Sequence, residues 1–136
     1  MCKYFKIFLT NFFLLVIFLA NACDFGSLKS SELLITKNDN EQTFEISTGD
    51  RITIELESNP STGFRWEHYN PDGSHLYKDG ETVFWQDSSC STLVGCGGVE
   101  RLFFKASLAG SGVIRLVYIG PSGEHAEYFT IYVNTF

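Results

Sequence analysis

The sequence predicts an all-β protein whose fold is an immunoglobulin-like antiparallel β-sandwich of seven to eight strands, preceded by a signal peptide. Two observations lead to this prediction. Apolar and polar residues alternate with a period of two through most of the chain after residue 32, and no stripe of helical period is present. Turn-forming residues divide this pattern into short segments at close spacing, which is typical of a two-sheet sandwich.

The first 22 residues have the composition of a signal peptide. Lys3 and Lys6 precede an unbroken apolar run over residues 12–20, and residues 20–22 read Ala-Asn-Ala, the small-x-small form of a cleavage site. The apolar run is shorter than the roughly 20 residues that a membrane-spanning helix needs. We therefore assign residues 1–22 to a signal peptide and expect an exported protein.

Cys23 directly follows this cleavage site and leaves two routes of export open. Residues 20–23 resemble a bacterial lipobox, in which Cys23 would be lipidated and would anchor the protein to a membrane, in the periplasm or at the cell surface. The alternative is simple cleavage and secretion. In both cases we expect residues 23–32 to form a short tether and residues 33–136 to form one folded domain.

Eight segments of the remaining chain have the alternation of strands. Ile52 and Ile54 alternate with polar residues in the third segment, which indicates one buried and one exposed face. Phe64 and Trp66 share a face in the next segment, and core packing is the expected role of both. Residues 109–112 are expected to turn the chain. In order, the predicted strands cover residues 33–36, 43–47, 51–57, 64–69, 82–86, 99–106, 113–119 and 126–133.

Composition and motifs exclude several classes of function. The net charge is −6 at pH 7 and all sixteen Asp and Glu residues follow residue 22, which argues against a nucleic-acid partner. His68, His75 and His125 do not have the spacing of metal ligands. No serine lies in a nucleophile-elbow context, and no glycine-rich phosphate loop opens a helix. We therefore expect no enzyme activity, no metal and no cofactor.

Cys90 and Cys96 are the two cysteines left inside the predicted domain. In an exported chain we expect them to form a disulfide that closes a small loop across residues 91–95. Free thiols or a metal pair are the alternatives, although the spacing matches no zinc pattern.

Three loops rich in glycine, proline and small hydroxyl residues are predicted to lie at one end of the sandwich. The first should be stiff, because Pro60 fixes its own φ angle and Gly63 can take a positive one. Its small side chains would let its backbone approach a partner closely. The loops are Asn59-Pro60-Ser61-Thr62-Gly63-Phe64, Gly95-Cys96-Gly97-Gly98 and Gly120-Pro121-Ser122-Gly123, within connections 59–63, 87–98 and 120–125.

These loops resemble the three motifs of the chagasin-like inhibitors of papain-family cysteine proteases, and the resemblance covers roughly residues 31–134. The first loop and Trp66 match the family's Asn-Pro-Thr-Thr-Gly-Phe/Tyr-x-Trp motif, with serine for threonine at Ser61. Residues 95–98 match Gly-x-Gly-Gly in full. The third motif departs, because Gly120-Pro121-Ser122 stands where the family has Arg-Pro-Trp/Phe. Arginine and tryptophan often carry interface energy, so this loss implies weaker binding.

The resemblance implies a reversible, non-covalent inhibitor that acts as a monomer on papain-like cysteine proteases. The three loops would form a wedge into the active-site cleft, with Thr62 near the catalytic cysteine and histidine. The alternative is an immunoglobulin-like envelope or adhesion module that has lost inhibition, which the altered third motif would favour. The protease-binding residues implied by the resemblance are Asn59, Pro60, Ser61, Thr62, Gly63, Phe64, Gly95, Cys96, Gly97, Gly98, Gly120 and Pro121.

Overall fold

The computed structural model describes residues 30–69, 75–90 and 95–136. The predictions for the signal peptide at residues 1–22, for Cys23 and for most of the tether lie outside these residues. The described part contains nine strands and no helix that is long and apolar enough to cross a membrane. The strands are β1 Glu32–Thr36, β2 Thr43–Ile46, β3 Arg51–Ser58, β4 Arg65–His68, β5 Leu76–Lys78, β6 Val83–Gln86, β7 Gly98–Ala106, β8 Gly110–Ile119 and β9 His125–Thr135.

The strands form two sheets, which confirms the predicted all-β sandwich. The first sheet has the order β1-β3-β7-β5, with β6 also paired to β7, and the second has the order β2-β9-β8-β4. Two edge pairs, β1 with β3 and β2 with β9, are parallel, whereas the sequence predicted antiparallel pairing throughout. The chain passes from β1 in one sheet to β2 in the other and back to β3, and it reverses at each passage. β1 and β3 therefore run in the same direction.

The core lies between the two sheets and is built from alternate residues of each strand. Ile54 and Phe104 of the first sheet and Leu116 and Ile131 of the second are fully buried. Trp66 is also buried, and its indole Nε1 donates a hydrogen bond to the carbonyl oxygen of Glu57 at 2.9 Å. The core role predicted for Trp66 is thus confirmed.

The segment before β8 differs from its prediction for a steric reason. β8 begins at Gly110, so residues 107–109 make the turn that was expected at 109–112. A Cβ atom on Gly112 would lie 2.7 Å from the ring of His75, which is itself buried. Gly112 therefore allows the His75 ring to pack on a strand, and its presence does not mark a turn.

Both ends of the described chain lie at the end of the sandwich where β3 begins. The backbone N–H of Ser31 donates to Asp50 Oδ1 at 2.8 Å. The N–H of Thr48 donates to the carbonyl oxygen of Phe136 at 2.9 Å. β3 then runs over Arg51–Ser58 to the first of the three predicted loops, so those loops are at the opposite end.

Candidate functional site

The first loop is a tight turn between β3 and β4. Pro60–Thr62 form a single 3-10 turn, and Gly63 follows in the left-handed conformation with φ 85°. The N–H of Thr62 donates to the carbonyl of Asn59 at 3.1 Å, and the N–H of Gly63 donates to that of Pro60 at 2.9 Å. Proline at the first position of the turn and glycine at its end both suit the backbone angles that they occupy.

Asn59 connects this loop to its surroundings through four polar groups. Its backbone N–H donates to Tyr118 Oη at 2.8 Å, and its side-chain Nδ2 donates to the carbonyl of Gly95 at 2.9 Å. Its Oδ1 accepts a bond from Ser61 Oγ at 2.6 Å, and its carbonyl accepts one from Thr62 Oγ1 at 2.7 Å. Asn59 therefore holds the hydroxyls of the first loop and also joins that loop to the second.

Tyr118 packs beneath the first loop. Its ring stacks on Phe64 with a centroid separation of 5.2 Å and contacts Trp66 at 5.0 Å. Phe64 is half-buried and lies just before β4, so its expected core role is fulfilled only in part. On the other side of Trp66, the buried carboxylate of Glu100 accepts the Trp66 backbone N–H at 2.8 Å.

Sequence reasoning did not assign a site role to Tyr118 or Glu100. Tyr118 carried no clear signal, because the β4–β8 register that makes it the direct partner of Trp66 cannot be read from alternation. A signal for Glu100 was available: it lies two residues before Leu102 in the predicted strand 99–106, so alternation places it on the buried face.

The second loop approaches β6 closely. A Cβ atom on Gly98 would lie 2.8 Å from the Gln86 Cα and would overlap the carbonyl oxygen of Trp85. Gly95 has φ 90°, which favours glycine as well. Cys96 is buried and disulfide-bonded. The side chain of Cys90 lies outside the described residues, so the Cys90–Cys96 pairing stays a prediction.

The third loop joins β8 to β9 and contacts the first. The N–H of Gly123 donates to the carbonyl of Gly120 at 3.0 Å, and the N–H of Ser122 donates to Glu124 Oε2 at 3.0 Å. A Cβ atom on Gly63 would lie 2.9 Å from the Cβ of Pro121. Gly120 is buried, and any side chain there would overlap the Glu124 carboxylate. Pro121 and Ser122 are exposed.

The structure thus brings the three predicted loops together into one surface. The Asn59–Gly95 hydrogen bond joins the first loop to the second, and the Gly63–Pro121 contact joins the first to the third. We call residues 59–64, 95–98 and 120–123 the apical surface. Its exposed side chains are small and carry no ionisable group.

The apical surface is suited to contact and offers no group for catalysis. The hydroxyls of Ser61 and Thr62 bond to Asn59, and among the described residues neither hydroxyl bonds to a histidine or carboxylate that could act as a base. Within residues 30–69, 75–90 and 95–136, no cluster of His, Cys, Asp and Glu could hold a metal ion. A charged neighbour, Asp87, lies at the start of the second connection, and a hydrogen bond from the Ser89 N–H lowers the pKa of its carboxyl.

Comparisons with known proteins agree with this arrangement. Residues 45–133 match the family described as Chagasin family peptidase inhibitor. Chagasin of Trypanosoma cruzi is 32% identical over 108 residues, which cover 74% of this chain and 94% of chagasin. Amoebiasin-1 of Entamoeba histolytica is 32% identical over 102 residues, which cover 74% of this chain and 96% of that protein.

A solved structure shares the fold. The crystal structure of the cysteine protease inhibitor EhICP2 from Entamoeba histolytica superposes with a TM-score of 0.68 at 24% identity, covering 79% of this chain and 98% of that one. The family expected from the loop motifs is therefore confirmed. By its family match, its relatives and its fold, this chain belongs to the chagasin family of peptidase inhibitors.

Proposed function

We propose that this protein is a reversible, non-covalent inhibitor of papain-like cysteine proteases whose apical surface enters the active-site cleft as a wedge. The observation that carries the proposal is the cross-connection of the three loops through Asn59–Gly95 and Gly63–Pro121. Membership of a family of peptidase inhibitors supports inhibition and excludes an enzyme. EhICP2, which shares the fold, is named a cysteine protease inhibitor.

The first loop supplies the leading edge of the wedge. Ser61, Thr62 and Gly63 are all exposed, and the 3-10 turn holds them in one conformation. Thr62 would then lie near the catalytic cysteine and histidine of the enzyme. The turn resists cleavage because its carbonyls are not those of an extended peptide aimed at an oxyanion hole. A loop that is already ordered also loses little entropy on binding.

The other two loops flank the first. Gly95, Gly97 and Gly98 let the second loop lie along the cleft wall with its backbone close to the enzyme, and the disulfide at Cys96 restrains that loop. The third loop has Pro121 followed by Ser122 in place of a tryptophan, so it contributes little buried area to the interface. The envelope or adhesion alternative is not favoured, because the first two motifs and their mutual contacts are intact.

Export and oligomeric state belong to the same proposal. The signal-like residues 1–22 support an exported protein, which is either lipidated at Cys23 and membrane-anchored or secreted. One chain supplies all three loops, so a monomer suffices for inhibition. The loops also require no cofactor.

Thr62→Arg tests the wedge directly. A long cation at this exposed tip would clash within the cleft, so we expect the inhibition constant for papain to rise at least about a hundredfold. Thr48→Arg is the matched control: Thr48 is exposed, its hydroxyl also bonds to a carbonyl, and it lies at the opposite end of the sandwich. Equal inhibition constants for the two variants, with unchanged circular dichroism, would overturn the assignment of the apical surface.

A further inference from the structure

Trp85 is a large aromatic residue held at the surface of the first sheet. It lies on the short strand β6, and its side chain is 47% exposed. The guanidinium of Arg101 lies 3.7 Å from the centre of its ring, and the carboxylate of Glu55 forms an ion pair with Arg101. The three residues come from three adjacent strands: Arg101 pairs directly with Glu55 and lies diagonally from Trp85, against whose indole it makes a cation–π contact.

The position of Trp85 links it to the apical surface. Trp85 pairs with Val99 and Gln86 pairs with Gly98, so Trp85 is adjacent to the end of the second loop. Its carbonyl lies against Gly98 at a distance that only glycine allows. The exposed ring therefore continues the apical surface onto the outer face of the first sheet. Val83 extends this apolar area, because it is 38% exposed on the same face.

We propose that Trp85, positioned by Arg101, is a second anchor that binds the shoulder of the protease beside its active-site cleft. The inference rests on the proposed function, because it assigns Trp85 to the same partner. A single exposed aromatic is usually incidental. This one adjoins the binding loops and packs against an arginine, and tryptophan and arginine are, with tyrosine, the residues enriched among those that dominate binding energy. The third loop lacks both of them.

Such an anchor fits an apolar patch on the wall that the second loop follows. An indole that already packs against Arg101 loses less rotamer freedom when it is buried, so its area contributes efficiently to affinity. The carboxylate of Glu55 neutralises the positive charge of Arg101, so the patch on the enzyme needs no negative charge to match Arg101.

Tyr77 provides a matched control within the same molecule. It lies on β5, which also pairs with β7, and it is 44% exposed. Its partner is Lys105, six residues along β7 from Val99, so both aromatic rings are on the same face at opposite ends of the strand. Tyr77 thus matches Trp85 in face and exposure, and differs from it in distance from the apical surface, in ring type and in the arginine contact that Trp85 makes.

The experiment combines affinity with footprinting, using papain and the purified chain. Trp85→Ala should raise Kd at least about tenfold, chiefly through faster dissociation, whereas Tyr77→Ala should change it less than about twofold. Thermal unfolding of each variant separates loss of contact from loss of fold. In the wild-type complex, Trp85 should be protected from hydroxyl-radical oxidation, and Tyr77 should be oxidised as in the free protein.

The outcomes separate the two proposals. If the wild-type chain inhibits papain but Trp85 is oxidised equally with and without enzyme, the anchor is overturned and the wedge stands. If Trp85→Ala does not fold, the wild-type footprint alone decides. If the wild-type chain fails to inhibit, the proposed function is overturned and the anchor with it.

Discussion

Asn59 adds no charge to the apical surface, yet its bonds to Gly95, Ser61 and Tyr118 decide how the first loop is presented. An inhibitor that must not rearrange in a cleft needs such internal bonds, because order present before binding reduces the entropy lost on binding. At the residue scale, specificity therefore depends on polar contacts beneath the surface as well as on the residues that touch the enzyme.

Tyr118→Phe isolates one of these contacts. It removes the hydroxyl that accepts the Asn59 N–H and keeps the ring that stacks on Phe64. Leaving a partly buried N–H unpaired should lower the free energy of unfolding by about 1–2 kcal/mol and weaken inhibition several-fold. Urea unfolding and the inhibition constant for papain measure the two effects.

Tyr128→Phe is the control for this substitution. The hydroxyl of Tyr128 also forms a hydrogen bond, with His125 Nδ1 at 2.9 Å, but that pair is exposed to water. We expect a change in stability close to zero for Tyr128→Phe. Equal behaviour of the two variants would contradict the role given to Tyr118.

We expect Asp50 to make the stability of the fold depend on pH. Hydrogen bonds from the backbone N–H of Ser47, and secondarily of Ser31, lower the pKa of its carboxyl, although burial opposes them. A carboxyl whose pKa is lower in the folded chain stabilises it above the unfolded value of about 3.9. That contribution is lost as the pH falls through the folded pKa.

Asp50→Asn should therefore lower stability at pH 7 and flatten the decline in stability below about pH 4. Chemical denaturation at a series of pH values measures both effects. Asp87→Asn is the control, because the pKa of Asp87 is also lowered but its side chain is exposed. The same acid profile for Asp50→Asn and the wild type would show that Asp50 does not act in this way.

At the scale of elements, alternation predicted most strands within a few residues, since one face of each is buried. β5 was missed, because its three residues, Leu76–Lys78, are too short for a period to appear. The parallel pairs were also missed, because alternation is the same for parallel and antiparallel neighbours. Only the passage of the chain between sheets decides the direction of β1 and β2.

The loop motifs were predictable because turn residues act locally, whereas their mutual contacts were not. Nothing in the sequence places the Gly63 Cα against Pro121, which is 58 positions away. The sequence predicted a disulfide at Cys96, and Cys96 is disulfide-bonded. Intact mass before and after reduction and alkylation tests its predicted pairing with Cys90.

Gly63→Ala tests the contact between the first and third loops. Alanine at φ 85° is strained, and its Cβ would also press on Pro121, so we expect a loss of about 2 kcal/mol in stability and a clear loss of inhibition. Gly49→Ala is the control, because it introduces the backbone strain without the steric contact: Gly49 has φ 95° and open space where a Cβ would lie. It should cost about 1 kcal/mol and leave inhibition unchanged.

Adding Pro121→Gly should recover part of the stability lost in Gly63→Ala, because the steric conflict is removed. Urea unfolding of the wild type, of Gly63→Ala, of Pro121→Gly and of the double variant gives the coupling energy. A coupling energy of zero would show that the two loops do not support each other.

For the whole molecule, the two ends of the described chain, residues 30 and 136, lie at the end of the sandwich opposite the apical surface. Ser31 bonds to Asp50 and Phe136 bonds to Thr48, whereas β3 leads from that end to Asn59. The eight residues of β3 span about 26 Å. A lipid anchor at Cys23 would therefore direct the apical surface away from the membrane.

Tethering experiments check this polarity. The chain immobilised on beads through a biotin at either terminus should bind papain as tightly as the free chain. Immobilisation through exposed Ser122, replaced by a biotinylated cysteine, should block binding. Blocked binding from the N-terminal tether, with binding retained from residue 122, would contradict the proposed orientation.

An intact, uncleaved wedge should fill the protease cleft, and active-site titration of papain measures this. Increasing amounts of the purified chain should reduce activity in proportion until it reaches zero at about one chain per active site. The chain recovered from the complex should keep its full mass, because the turn at Pro60–Thr62 is not a substrate. Undiminished papain activity at a micromolar concentration of the chain, or recovery of a chain cut between residues 59 and 64, would contradict the proposed wedge.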